Sequence, residues 1–157
     1  MNISKSFLSK VRFKTFMQAA KSLKTKKQAP AEMFIEGISK RFKGPKSKFS
    51  LSGHDSHGVY VDFIKGLTQN EIHLEQIRSP KIGAGYGTEA MKFIVSVADK
   101  TGTTITLVAA PLDDEGENED IWSQEKLADW YGSFGFDGEY GEEEMVRHPK
   151  KIKSTKE

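Results

Sequence analysis

Lys81-Ile-Gly-Ala-Gly-Tyr-Gly-Thr-Glu-Ala-Met91 runs directly into Lys92-Phe-Ile-Val-Ser-Val-Ala-Asp-Lys-Thr-Gly102. The first part is a glycine-dense turn. The second sets Ala90, Met91, Ile94, Val95 and Ala98 at helical spacing, and an apolar strand-like run precedes the turn, so the glycines sit where a strand hands over to a helix. Such a junction suits a phosphate. Glycine lets the backbone approach an anion closely, and the first free N–H groups of the helix, with its dipole, present about half an elementary charge. A P-loop needs Gly-x-x-x-x-Gly-Lys-Ser/Thr, but no lysine follows Gly87; a dinucleotide fingerprint begun at Gly83 and Gly85 needs a third glycine where Thr88 stands. Both are excluded.

On the N-terminal side of the turn, Glu71 to Arg78 reads as a strand with Ile72 and Leu74 on one face and Glu71, His73 and Glu75 on the other. A turn at Gly66 to Asn70 joins it to a strand at Val59 to Ile64, and a further turn, Gly53 to Gly58, leads back to a short strand at Lys48 to Ser52. His54, Asp55 and His57 do not read as a metal site: Gly, Asp and Ser are what a hairpin turn wants, and a third ligand of firm spacing is missing. Beyond the central helix, Thr103 to Ala110 is β-branched and apolar, which predicts a buried strand parallel to the one before the helix. Pro111 ends it. An acidic loop from Leu112 to Trp122 follows; Ser123 is the expected N-cap of a helix from Gln124 to Phe134, and Gly135-Phe136 and Met145 to Arg147 are the expected closing strands.

Charge divides the chain. Residues 1–50 carry 11 lysines and 2 arginines against Glu32 and Glu36, a net of +11, whereas the remainder carries −9, so the overall +2 conceals two opposed halves. The basic third holds an expected amphipathic helix over Ser4 to Lys24, with Phe7, Leu8, Val11, Met17, Ala20 and Leu23 on its apolar side. A second helix, begun at Pro30 and running through Phe34, Ile38 and Phe42, is stopped by Gly44-Pro45. This region suits nucleic acid, an acidic protein or the chain's own acidic half as partner. Without cysteine there is no disulfide framework or thiolate site, and no apolar run has the length of a membrane span, so no membrane partner and a cytoplasmic location are expected. The length suits a single domain over residues 1–149, with a basic helical part at 1–44, a sheet and ligand-binding part at 47–149, and a flexible tail at 150–157.

Gly85-Tyr86-Gly87-Thr88-Glu89-Ala90 resembles the pyrophosphate loop of the GNAT superfamily of N-acetyltransferases, Gln/Arg-x-x-Gly-x-Gly/Ala at the start of a helix. Gly85 and Gly87 match, and Ile82 takes the Gln/Arg position. Leu127 to Phe136, with Trp130-Tyr131 followed by Gly135-Phe136, is similar to the family's late helix, and the resemblance covers roughly Val59 to Val146. It implies a mixed α/β (α+β) sheet with central antiparallel strands, a splayed parallel pair, and helices on both faces. It further implies acetyl-CoA as cosubstrate, no metal, and an amine acceptor of unidentified kind. Cofactor contacts are expected from Ile77, Arg78, Ser79, Ile82, Gly83, Ala84, Gly85, Tyr86, Gly87, Thr88 and Gln124. An attacking amine with a pKa of about 10.4 needs a base, for which Glu71, His73 and Glu75 are candidates, Glu71 first because its separation from Gly87 resembles that between the general-base glutamate and the loop's last glycine in the histone acetyltransferase branch of the family; Tyr131 would protonate the leaving thiolate. The alternative is a catalytically inactive binding module of the same fold, acting on nucleic acid or protein through its basic N-terminal helices.

Overall fold

The computed structural model describes residues 28–81, 83–110, 122–138 and 144–151. The helix expected at Ser4 to Lys24, Ile82, nearly all of the acidic loop and the end of the tail lie outside them. The described chain runs α1 (Pro30–Ile38), β1 (Leu51–His54), β2 (Tyr60–Lys65), β3 (Glu71–Arg78), α2 (Tyr86–Thr101), β4 (Thr104–Val108), α3 (Gln124–Gly132) and β5 (Glu144–Arg147). The strands form one mixed sheet in the order β1-β2-β3-β4-β5, in which β3 and β4 are parallel and every other pair is antiparallel. This is the expected antiparallel centre with one parallel pair.

Period-two alternation gives the sheet a buried face, with Leu51, Val61, Phe63, Ile72, Leu74, Ile105, Leu107 and Met145 in a single cluster that also takes in Phe34, Met91 and Ile94 from the helices. Phe34 of α1 meets Phe63 edge-on at 5.2 Å. The helices α1 and α2 cross closely at Gly37, where a β-carbon would come within 2.7 Å of Val97. Beyond α2, the pair Arg147 and Asp99 ties β5 to that helix through two hydrogen bonds of 2.8 and 3.0 Å, and Arg147 Nε also donates to the Phe134 carbonyl at 2.7 Å. Burial alone would push the Asp99 carboxyl up; the Arg147 hydrogen bonds, the Lys150 backbone N–H and the two cationic charges outweigh it and hold the group below its ordinary range.

Three elements depart from expectation, among them the closing strand expected at Gly135-Phe136, where the chain is still turning out of α3 and a lone bridge joins Asp137 to Val146 instead. The first strand lies at Leu51–His54, three residues later than predicted at its start, because Ser47 and Ser50 close a turn and Gly53 enters the sheet opposite Val61. Gly53 is needed there for close approach and not for a turn: a β-carbon would come within 2.6 Å of the Lys43 carbonyl oxygen. Helix α1 stops at Ile38 and a turn at Ser39 to Arg41 carries the chain to Phe42, which is buried all the same.

One irregularity shapes everything that follows. The β2–β3 register runs Val61 to Ile77 and Asp62 to Gln76, then jumps to Phe63 with Leu74, which leaves Glu75 as the extra residue of a β-bulge. The β3–β4 pairing runs only from Glu71 with Thr104 to Leu74 with Leu107. From Glu75 on, β3 continues to Arg78 beside β2 while β4 continues to Val108 beside β5, and the two parallel strands part.

Candidate active site

Where β3 and β4 separate they leave a cavity of about 420 Å3. Its strand walls are Leu74 to Ser79 on one side and Val108 and Ala110 on the other; Gly83, Gly85, Gly87 and Thr88 form one end, and Trp122, Leu127, Trp130 and Tyr131 close it from α3 and the segment before it. Among the described residues the β4-facing backbone groups of residues 75 to 78 have no strand partner, which suits a ligand that has amides of its own.

The glycine turn is held open to such a ligand. Gly83 and Gly85 have φ of +84° and +80°, a region that side chains avoid, and a β-carbon at either would meet nothing within 4 Å. Gly85 caps α2 without any side-chain bond, so the first N–H groups of the helix are not occupied by a cap. The amides of this turn therefore fit a phosphate. Trp130 reaches over from α3 and donates from Nε1 to Thr88 Oγ1 at 3.3 Å, which fixes the late helix against the turn. Ser123 caps α3 as expected, accepting from the Lys126 N–H at 3.2 Å.

Tyr131 lies at 8% exposure between Trp130 and Phe136, at 5.1 and 5.8 Å between ring centroids. Its hydroxyl has no hydrogen-bond partner among the described residues, and burial pushes its pKa up to about 12. It is a phenol that stays protonated. Glu75, exposed at the bulge, borders the cavity, and His73 stands beside it with Nε2 at 3.7 Å from the Glu75 carboxylate and Nδ1 at 2.8 Å from Thr106 Oγ1 of β4.

The structure thus brings Ile77, Arg78, Ser79, Gly83, Gly85, Gly87, Thr88 and Tyr131 together around one space. Ala84 and Tyr86 belong to the turn but do not line the cavity, nor does Gln124 in the first turn of α3. Glu71 stands apart, at the far end of β3, where its carboxylate accepts the Leu67 N–H at 3.3 Å. Sequence reasoning left out Trp122, Leu127 and Val108 as lining residues. A helical stripe on α3 through Leu127, Trp130 and Tyr131 carried the signal for one of them; nothing marked Trp122. Asp55 serves its turn, accepting the backbone N–H groups of His57 and Val59 at 2.9 Å each, as a turn aspartate does.

Among the described residues no helix is long and apolar enough to cross a membrane. No protein-family model matches the chain, and no curated protein does. Among solved structures the chain is similar to the crystal structure of the anti-CRISPR protein AcrVA5, at 26% identity and a TM-score of 0.47, with 62% of this chain and 96% of that one covered.

Proposed function

We propose that this chain is an N-acetyltransferase of the GNAT kind, moving an acetyl group from acetyl-CoA to a primary amine by direct attack. The observation that carries the reading is the parting of β3 from β4 at Glu75 into a cavity that the glycine turn and Tyr131 both line. A long ligand with a diphosphate at one end and a thioester at the other calls for that combination: bare amides at a helix start, an unpartnered strand edge, and a proton donor at the reacting end. Acetyl-CoA supplies the activated acyl group. The amides of residues 83 to 88 bind its diphosphate, and a backbone N–H in the stretch Ile77 to Ser79 receives the carbonyl oxygen as negative charge develops there.

Glu75 takes the proton of the amine, directly or through one water, because an ammonium with a pKa of about 10.4 has no lone pair to attack with at neutral pH. It takes precedence over Glu71, which lies four strand residues and about 13 Å away. His73, anchored on Thr106, keeps an imidazole within reach of the Glu75 carboxylate and offers the proton a way out to solvent. As the new C–N bond forms and the C–S bond breaks, Tyr131 gives its proton to the sulfur and is reprotonated from water. In water a thiolate, whose thiol has a pKa of about 8.5, is a weaker base than a phenolate. This transfer therefore requires that the burial holding the Tyr131 phenol protonated also raise the proton affinity of the departing sulfur beside it.

Calorimetry with acetyl-CoA, paired with release of free thiol in the presence of a panel of amines, tests the reading. Binding with slow thiol release even without acceptor is the expected result. Absence of binding, with salt-sensitive association to DNA or RNA instead, would overturn it in favour of a binding module acting through residues 1–50.

A further inference from the structure

The β1–β2 turn, Asp55 to Gly58, touches the glycine turn at both of its ends. His57 lies flat on Tyr86, the first residue of α2, with ring centroids 4.1 Å apart and planes 6° from parallel, and its Nε2 is 3.9 Å from the Glu89 carboxylate one helical turn on. At the other end a β-carbon on Gly58 would sit 3.2 Å from Pro80 Cγ. The β1–β2 turn is itself well fixed. Asp55, whose side chain is 1% exposed, binds the N–H groups of His57 and Val59 and faces Arg41 at 3.4 Å, and Gly58 donates to the Asp55 carbonyl at 3.0 Å. Among the described residues the glycine turn has little of its own to hold it: a β-carbon on Gly83 or Gly85 would meet nothing within 4 Å, and within the stretch a side-chain bond joins Ser79 Oγ to the Lys81 carbonyl at 3.2 Å. Its shape is imposed from its ends.

We propose that His57 is a positioning residue for the ligand site, ordering the glycine turn through its stack on Tyr86 so that the amides of residues 83 to 88 stand ready for a diphosphate. This rests on the reading of that turn as the diphosphate site of acetyl-CoA. A glycine-rich segment loses much conformational freedom on binding, and an aromatic stack that has already ordered it recovers that loss as affinity. A stack of this kind is worth about two- to tenfold in an equilibrium constant.

The test uses the full chain with His57→Ala and His57→Phe, the second of which keeps a flat ring. It combines calorimetry with CoA, hydrogen exchange of the amides from Gly83 to Glu89, and turnover of S-acetylpantetheine, which has the thioester but no diphosphate. His57→Ala is expected to weaken CoA binding about two- to tenfold and speed exchange in that stretch, with S-acetylpantetheine turnover unchanged and His57→Phe restoring both losses. His57→Ala that binds CoA and exchanges like the parent would overturn the proposal. So would exchange that quickens throughout the chain with a lowered urea midpoint, because the histidine would then support the fold at large. If the parent protein binds no CoA, the transferase reading fails instead, and local exchange in His57→Ala still decides whether the histidine orders the turn.

Discussion

Gly87→Ala is expected to stabilise the protein while weakening its ligand site. Gly87 is the second residue of α2 and its φ is not positive, so alanine adopts the same backbone without strain. Its β-carbon would lie 3.8 Å from Ser79 Cβ and 3.9 Å from Trp130 Cζ2, ordinary contacts that displace nothing. Replacing glycine under those conditions restricts the unfolded chain and adds about 0.4–1 kcal/mol of stability. For a chain of this size that is a rise of roughly 1–4 °C in Tm. The same methyl stands on the wall of the cavity beside the open amides of α2. If a diphosphate packs against the bare Cα, the forced contact costs about 1–3 kcal/mol, as overpacking does elsewhere. CoA affinity would then fall roughly 5- to 150-fold. Thermal melts and calorimetric titrations on the same preparations read both effects. A variant that melts higher yet binds CoA as the parent does would refute close packing of phosphate against the start of α2; one that melts lower would refute the steric account itself. Gly85→Ala makes the contrast: its φ of +80° costs about 1–2 kcal/mol in an alanine, although no atom stands in the way.

Tyr131→Phe removes a hydroxyl that has no hydrogen-bond partner among the described residues, so it should lower kcat about 100-fold or more with CoA affinity unchanged; equal loss of both would refute its role as proton donor. The same variant has a signature in stability. Because the folded protein holds this phenol at about 12 against an ordinary 10, the unfolded chain ionises first, and stability that is complete below pH 10 is lost between pH 10 and 12. The loss is on the order of 2–3 kcal/mol and should vanish from urea titrations of Tyr131→Phe. Glu75→Gln should reduce kcat about 100-fold at neutral pH while Glu71→Gln leaves it unchanged, and the reverse ranking would return the base to the far end of β3. Asp99→Asn leaves the Arg147 charge, at 2% exposure, without its counterion and should cost about 3 kcal/mol in denaturant titrations. With the Asp99 carboxyl held below its ordinary range, the stability it gives the parent is present above about pH 4 and is lost on acidification through the folded pKa, a loss the variant lacks.

Much of the site was legible because its parts are local. The change from period two to period 3.6 at Pro80 to Tyr86 marks the strand-to-helix junction wherever it occurs, and the glycines at 83, 85 and 87 place a turn there. The parallel strand after α2 follows from the same logic, since a strand, a helix and a second buried strand in succession can close only as a crossover. Contacts between distant segments were not legible. The strand position of Gly53 depends on the backbone of Lys43, and the stack of His57 on Tyr86 joins residues separated by two strands. Trp122 comes to the cavity by way of Trp130, whose ring it meets at 6.0 Å, a contact that no sequence spacing encodes.

The bulge at Glu75 was hidden for a different reason, and it explains the choice between Glu71 and Glu75. In the sequence Glu71 to Arg78 alternates smoothly, so Glu71, His73, Glu75 and Ile77 all fall on one face, and nothing separates one glutamate from the other. In the sheet Ile77 pairs with Val61, which is fully buried, and so lies on the face of Leu74. An extra residue has been inserted between Leu74 and Gln76, and side-chain parity reverses there. The insertion bends β3 away from β4 just after their last pair, Leu74 with Leu107, which opens the cavity. It also leaves Glu75 without a partner in the β2 ladder, at the mouth of the opening that it creates. A single inserted residue therefore makes both the space for a ligand and the carboxylate that borders it. Deleting Glu75 should close the first along with the second, whereas Glu75→Gln should remove the carboxylate alone and leave CoA binding intact.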